Sequence, residues 1–223
     1  DVRHLIDALS GGKLPARAPD NYVAGLFDGI AATFDETLVH WLDYRAPEMT
    51  LAMAKAVLGP RPAPQRILDL GCGTGLNGPL FRPLAQRLDG VDLSPKMVEK
   101  ARARGLYDEL AVDEIGRYLA ASTRRYSLVL ATDVLVYFGD LSGVFAGVRR
   151  VLKSAGRFIA TTETGAGAPV ALGRSGRYMH GEAYVRATAE ANGLDVAAAE
   201  KGNLRREGGK PVAGMCYALQ KRS

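Results

Sequence analysis

Hydrophobic residues follow a helical rhythm early in this chain, and later one in which strands and helices alternate. Val23, Leu26, Phe27 and Ile30 stand at i, i+3, i+4 and i+7, the spacing of one helix face, within a stretch (20–58) that reads as helical. A second helix is expected from 47 to about 58, because a proline at the first helical position gives up an N–H that has no partner there. Gly11, Gly12, Pro15 and Pro19 mark a turn-rich start. GPRPAP at 59–64 interrupts the chain and separates an N-terminal helical cap (1–62) from the remainder (63–223).

From residue 65 short apolar runs at 66–70, 90–93, 110–112, 127–132 and 157–162 read as strands. Between them, Leu76, Leu80, Leu84 and Leu88 recur every four residues as a helix would require. Ser94 caps and Pro95 opens a helix to about residue 104. Leu141, Val144, Phe145, Val148, Val151 and Leu152 form an amphipathic stripe. Strands alternating with helices need crossover connections, so the predicted fold is α/β, with a doubly wound, mostly parallel sheet covered on both faces. The end departs from this. After a helix near 182–192, residues 195–200 and 212–219 read as two strands joined by a basic, turn-rich segment, a closing antiparallel hairpin that brings the sheet to seven strands.

Composition narrows the function classes. The 223 residues suit one large domain or two small ones, and 47% hydrophobic with 24% charged residues supports a folded core. No run of about 18 apolar residues is present to span a bilayer. The opening DVRHLIDALSGG lacks the basic-then-apolar plan of a secretory signal, and a start without Met fits the tail of a longer polypeptide. Two cysteines, Cys72 and Cys216, are too few for a disulfide framework or a zinc site. They point to a reducing, cytoplasmic setting and to packing roles, and no metal is expected. A net charge of +5 raises the question of nucleic acid. The basic residues are scattered pairs (Arg124-Arg125, Arg149-Arg150, Arg205-Arg206) with no aromatic interleaving, so a nucleic-acid partner is not expected.

The most informative segment is ILDLGCGTGLNG at 67–78. A strand ends at Leu70, and Gly71, Gly73 and Gly75 turn the chain towards a helix, allowing close approach of a ligand. Gly73-Thr-Gly75-Leu-Asn-Gly78 satisfies GxGxxG literally, but the glycine adjoining the strand is Gly71. From there the pattern runs GxGxG, unlike a dinucleotide fingerprint.

LDLGCGTG (68–75) resembles the first motif of the class I S-adenosylmethionine-dependent methyltransferases. VDLS (91–94), VD (112–113), DVLVYFGDL (133–141) and LKSAGRF (152–158) are similar to their later motifs, and the closing hairpin belongs to the same fold. More narrowly, ALSG, APDNYVAGLFDGIAATFDETLV and YRAPE resemble bacterial methyltransferases often preceded by tetratricopeptide repeats, although Ile30 replaces a tyrosine usual there. The resemblance implies S-adenosylmethionine as cofactor, with Gly71, Cys72, Gly73 and Gly75 beneath its amino-acid part and Asp69 near the ammonium. Asp92 and Leu93 then take the ribose and Asp113 and Glu114 the adenine, the alternative for Asp92 and Asp113 being that each caps a helix. Asp133 is expected on the methionyl side, and Arg45 either clamps the carboxylate or is a solvated helix residue.

The acceptor is less legible. The segment after the fourth strand lacks the [DN]PP[YF] string of amino-group methylation, and neither cysteine follows a proline there as cytosine methylation requires, which favours a small-molecule acceptor. RYMHGEAY (177–184) resembles the RxxHxxxY pattern of the narrower group, which makes His180 the best candidate base, the alternative being a helix-capping or hydrogen-bonded structural histidine, with Tyr184 beside it and Tyr137 and Tyr178 as wall residues. His4 and His40 have no supporting context. The rival readings are a nicotinamide-dependent oxidoreductase and a cofactor-binding module without turnover.

Overall fold

The computed structural model describes residues 2–10, 14–36, 43–165 and 167–222. At its centre is β1 (Gln65–Leu70), whose Ile67, Leu68 and Leu70 have no solvent exposure. It pairs in parallel with β2 (Ala85–Asp92) and β4 (Tyr126–Ala131); β3 (Glu109–Val112) flanks β2 and β5 (Leu152–Glu163) flanks β4. Strands buried on both faces need unbroken apolar runs, which is why ILDL and SLVLA do not alternate with polar residues. β9 (Lys210–Lys221) runs antiparallel to β5, with β8 (Leu194–Glu207) outside it. The α/β fold and its reversed hairpin are as expected.

One face of the sheet is covered by α8 (Ser142–Val151) and α9 (Glu182–Ala191). The whole predicted α8 stripe is buried, with Phe145 edge-on to Phe158. The other face receives α4 (Ala46–Leu58), whose Met53 and Ala54 pack on Ile67, Leu128 and Ile159. This helix is therefore a layer of the sheet, although it precedes the GPRPAP break.

Several elements differ from the sequence reading. A helix, α1 (Val2–Ser10), for which no periodicity had been read, precedes the turn-rich stretch. The four-residue leucine spacing yields only α5 (Asn77–Phe81) and a 3-10 turn over Arg82–Leu84, because Pro83 cannot supply a helical N–H. Leu88 belongs instead to β2, opposite Ile67. α7 (Ile115–Ala121) carried no clear stripe. The long connection after β5 contains a hairpin, β6 (Val170–Leu172) and β7 (Tyr178–His180), which joins the end of β5 at Glu163 and raises the sheet to nine strands. The basic segment 201–207 is strand, and the closing turn is Gly208-Gly209 alone, with both φ values positive (+53° and +75°).

The N-terminal part crosses the carboxyl ends of the strands. Ala18 N–H donates to the Tyr137 carbonyl and Gly139 N–H to that of Ala16, each at 2.8 Å. In α2 (Asp20–Ile30) Val23 and Phe27 pack inwards, while Leu26 and Ile30 remain 39% exposed, so the face is narrower than its spacing implied. Its far end is tied to α6 (Pro95–Ala103): Ser94 Oγ donates to Asp28, and Lys100 Nζ to the Ala32 carbonyl at 3.1 Å. Among the described residues no helix is long and apolar enough to cross a membrane.

Beneath the glycine loop runs a buried polar relay. Tyr107 Oη donates to Asp69 Oδ2 (2.7 Å), and Asn77 Nδ2 bonds both Asp69 Oδ1 (3.0 Å) and Thr132 Oγ1 (3.1 Å). Thr132 continues to Thr50 at 3.2 Å. Burial lifts the Asp69 carboxyl to about 6, against the two donors that favour its charge. The folded state thus holds a proton that the unfolded chain, near 3.9, has released, so this group costs stability as pH rises through that window. Denaturant curves are expected to show Asp69→Asn gaining roughly 3 kcal/mol on wild type between pH 4 and pH 7; a pH-independent difference would contradict the assignment.

Candidate functional site

A cavity of about 1050 Å³, its open mouth included, lies at the carboxyl ends of β1 to β4, where open α/β sheets bind ligands. The glycine loop lines it, with Asp92 and Leu93 at the end of β2 and Asp113, Glu114 and Ile115 after β3. Thr132, Asp133, Val134 and Tyr137 follow β4, and Val23, Phe27 and Phe34 come from the N-terminal part.

The three loop glycines serve different purposes. Gly71 sits at φ +66°, and a Cβ there would lie 2.4 Å from Val134 Cγ2, so only glycine lets the post-β4 loop close against β1. Gly73, at φ +53°, has nothing nearer to its absent Cβ than a Phe34 ring atom at 4.0 Å, leaving bare backbone on the cavity wall. Gly75 faces away, against Tyr107, Arg104 and Ala101, and does not line the cavity. Cys72 lines it, but burial and then the charges of Asp69 and Asp92 push its thiol well up, so it is not a thiolate.

Asp92 is fixed from behind. Its Oδ2 accepts Gly73 N–H and its Oδ1 accepts Ser94 N–H, both at 2.9 Å, and these bonds oppose the rise in pKa that burial imposes. Ser94 in turn caps α6 by accepting Met97 N–H. Asp113 Oδ1 accepts Glu114 N–H at 2.7 Å and Arg117 Nε at 2.8 Å. Glu114 caps α7 through Arg117 N–H and pairs with Arg17 at 3.1 Å, and Arg17 pairs with Asp20 of α2 at 2.7 Å. The helix caps are thus Ser94 and Glu114, not the two aspartates, which each accept the N–H of the capping residue and lie on the cavity wall.

Asp133 lies on the wall at φ +54°, a conformation uncommon for a non-glycine residue. Both its oxygens accept from Arg205 Nη1, at 2.9 and 3.2 Å. Arg205 is only 1% exposed and also pairs with Glu163 and with Glu207. Burial raises the Asp133 pKa, and the Arg205 and Arg177 charges pull it back.

Four other expected site residues lie off the cavity wall. Asp69 is sealed in the relay under Asn77 and Tyr107. Arg45 is exposed at the start of α4 and pairs with Asp43 at 2.8 Å; its neighbours Tyr44 and Pro47 line the cavity instead. His180 points into the core because inward positions alternate along β7. Its Nε2 donates to the Phe138 carbonyl at 2.8 Å, and burial lowers its pKa to about 4. Tyr184 stacks on His180 and accepts Leu141 N–H at 3.1 Å. Tyr137 lines the cavity, whereas Tyr178 is buried and donates to the Pro15 carbonyl. His4 bonds the Gly176 carbonyl at 2.8 Å, and His40 lies outside the described residues.

Sequence reasoning missed Arg17, Tyr44, Asn77 and Arg177 on the wall and Arg205 behind it. Arg205 looked like half of an exposed basic pair. A register irregularity between Asn203 and Arg205 turns both Leu204 and Arg205 inwards, which strict alternation would not allow. Among the described residues no group of three or more His, Cys, Asp or Glu is arranged to hold a metal ion.

Residues 67–156 match a family described as "Methyltransferase domain". The chain is 33% identical over 149 residues to the Biotin biosynthesis bifunctional protein BioCD of Bordetella avium, covering 65% of this chain and 30% of that one. It spans about half or less of the length of the curated relatives it matches. Its fold is similar to that of Burkholderia thailandensis 1,6-didemethyltoxoflavin-N1-methyltransferase, solved with S-adenosylhomocysteine (TM-score 0.71, 20% identity, 95% of this chain and 94% of that one). It is equally similar to the [4+2]-cyclase SpnF (TM-score 0.73, 17% identity, 94% and 99%). Residues 67–156 thus match a methyltransferase domain, set within an α/β fold that the chain shares with these two solved structures.

Proposed function

We propose that the chain transfers a methyl group from S-adenosylmethionine to a small-molecule acceptor. The observation that carries this reading is Asp92, held by two backbone N–H groups beside the bare backbone of Gly73. A carboxylate has about four lone-pair sites, and two remain for a pair of ribose hydroxyls. The wall fits the rest of the cofactor. Among the described residues Asp113 bonds only through Oδ1, which leaves Oδ2 to the adenine side, and Asn77 Oδ1, on the wall and buried, has no partner and suits an ammonium group. Asp92, a wall carboxylate with no ion pair among the described residues, favours a cationic ligand and would repel the phosphates of a dinucleotide.

The cofactor, when bound, supplies a methyl carbon already made electrophilic by its sulfonium. The protein's part is then to position the two reactants and keep water out, which can account for much of the rate gain. α2 and Phe34 cover the cavity for that purpose, clipped down through Asp28–Ser94, Asp35–Thr74 and Arg17–Glu114. His180 plays no part as a base in this reading, since it faces away from the cavity and its lowered pKa makes it a poor proton acceptor. The same fold in a cyclase leaves a second reading, a cavity used without methyl transfer, which formation of S-adenosylhomocysteine during turnover would exclude.

Calorimetry is expected to show S-adenosylhomocysteine binding, weakened by Asp92→Ala at least about thirtyfold through loss of charge-assisted bonds. Unchanged affinity in the variant removes Asp92 from the site. In NMR titrations the His180 ring is expected to change charge near pH 4; a midpoint near neutrality would contradict its burial in the core.

A further inference from the structure

Strand order divides the cavity into two halves. β3 and β2 end at Asp113 and Asp92 on one side, and β4 and β5 end near Asp133 and Glu163 on the other. On the reading above, which this inference rests on, the first half holds the adenosine and the second lies beyond the transferred methyl. Its wall is Tyr44, Asp133, Val134, Tyr137, Phe138 and Arg177.

The charges in that half are already matched. Arg205 holds Asp133, Glu163 and Glu207, while Arg177 pairs with Glu207 and approaches Glu163 at 3.7 Å. Three carboxylates against two guanidinium groups leave the cluster one negative charge in excess. Arg177 is therefore no spare cation awaiting an anion. A carboxylate ligand would meet Asp133 in a poorly solvated space with no free partner, a costly arrangement. A neutral O–H or N–H would instead find an acceptor held rigidly by two bonds. The Tyr44 hydroxyl has no hydrogen-bond partner among the described residues, and burial, followed by the Asp133 charge, keeps it protonated as a donor. Tyr44, Tyr137 and Phe138 add flat apolar surface.

We propose that this half is the acceptor subsite and takes an uncharged aromatic ring whose O–H or N–H donates to Asp133, rejecting ring carboxylates, with Arg205 as the residue that positions Asp133. The test uses the full chain saturated with S-adenosylhomocysteine and three probes, phenol, anisole and benzoate, titrated by ligand-observed NMR. Phenol is expected to bind about tenfold more tightly than anisole, which has no donor, and benzoate not at all. Asp133→Asn should weaken phenol about tenfold and leave S-adenosylhomocysteine affinity within about twofold. Should that variant fail to fold, Tyr44→Ala, outside the ion cluster, should weaken phenol with the same cofactor control. Equal binding of phenol and anisole, no binding of phenol, or benzoate binding abolished by Arg177→Met would overturn the assignment. So would a loss of S-adenosylhomocysteine affinity on Asp133→Asn, which would place Asp133 against the cofactor. Failure of the wild-type chain to bind S-adenosylhomocysteine would instead overturn the methyltransferase reading.

Discussion

The architecture of the site depends on how closely two loops approach at the carboxyl ends of β1 and β4. Val134 occupies the volume that any side chain at Gly71 would need, and the Gly71 N–H is anchored to the Val91 carbonyl at 2.8 Å. These two contacts of Gly71 draw together the ends of β1, β2 and β4. Once these are fixed, Gly73 N–H reaches the Asp92 carboxylate and Asp133 is turned into its left-handed conformation on the wall. The cavity is a consequence of this closure.

Two buried polar systems flank that closure and differ in kind. The relay from Tyr107 to Thr50 contains a single ionisable carboxyl among neutral donors, and its pKa rises accordingly. The cluster around Arg205 compensates charge with charge, through geometry that uses the guanidinium on three carboxylates. Breaking such a cluster on one side generally costs ~3–5 kcal/mol, whereas a well-packed apolar replacement is often neutral. Its presence at the wall of a cavity therefore speaks for a role in shaping the site more than for stability.

What the sequence made legible was whatever depended on local spacing. The α8 stripe, the Ser94-Pro95 helix start and the positions of Asp92 and Asp113 follow from neighbours in the chain, and the fold class follows from their order. The misreadings arose where distant residues compete. Leu84 and Leu88 kept a helical interval, but Pro83 and pairing with β1 assigned the segment to strand. His180 had the right residue type and nearby motif, yet strand alternation, set by pairing with β6, faces it into the core. Arg205 was hidden because a register irregularity in β8 has no signature in a string of polar residues. Gly75 lay in the right motif and served the opposite side of the loop.

The origin of Arg205 in the last hairpin bears on the order in which the domain becomes complete. Every group on the Asp92 side of the cavity is supplied before residue 116, and Asp133 and Glu163 follow soon after. Arg177 follows just ahead of β7, but Arg205, the guanidinium bonded to Asp133, arrives with β8, and β8 reaches the sheet through β9. During synthesis the Asp92 half can therefore take shape while the opposite half still lacks the guanidinium that holds Asp133. Closure of that half is coupled to docking of the final strand, so an incompletely synthesised chain would present a cofactor cradle without a finished chamber beside it.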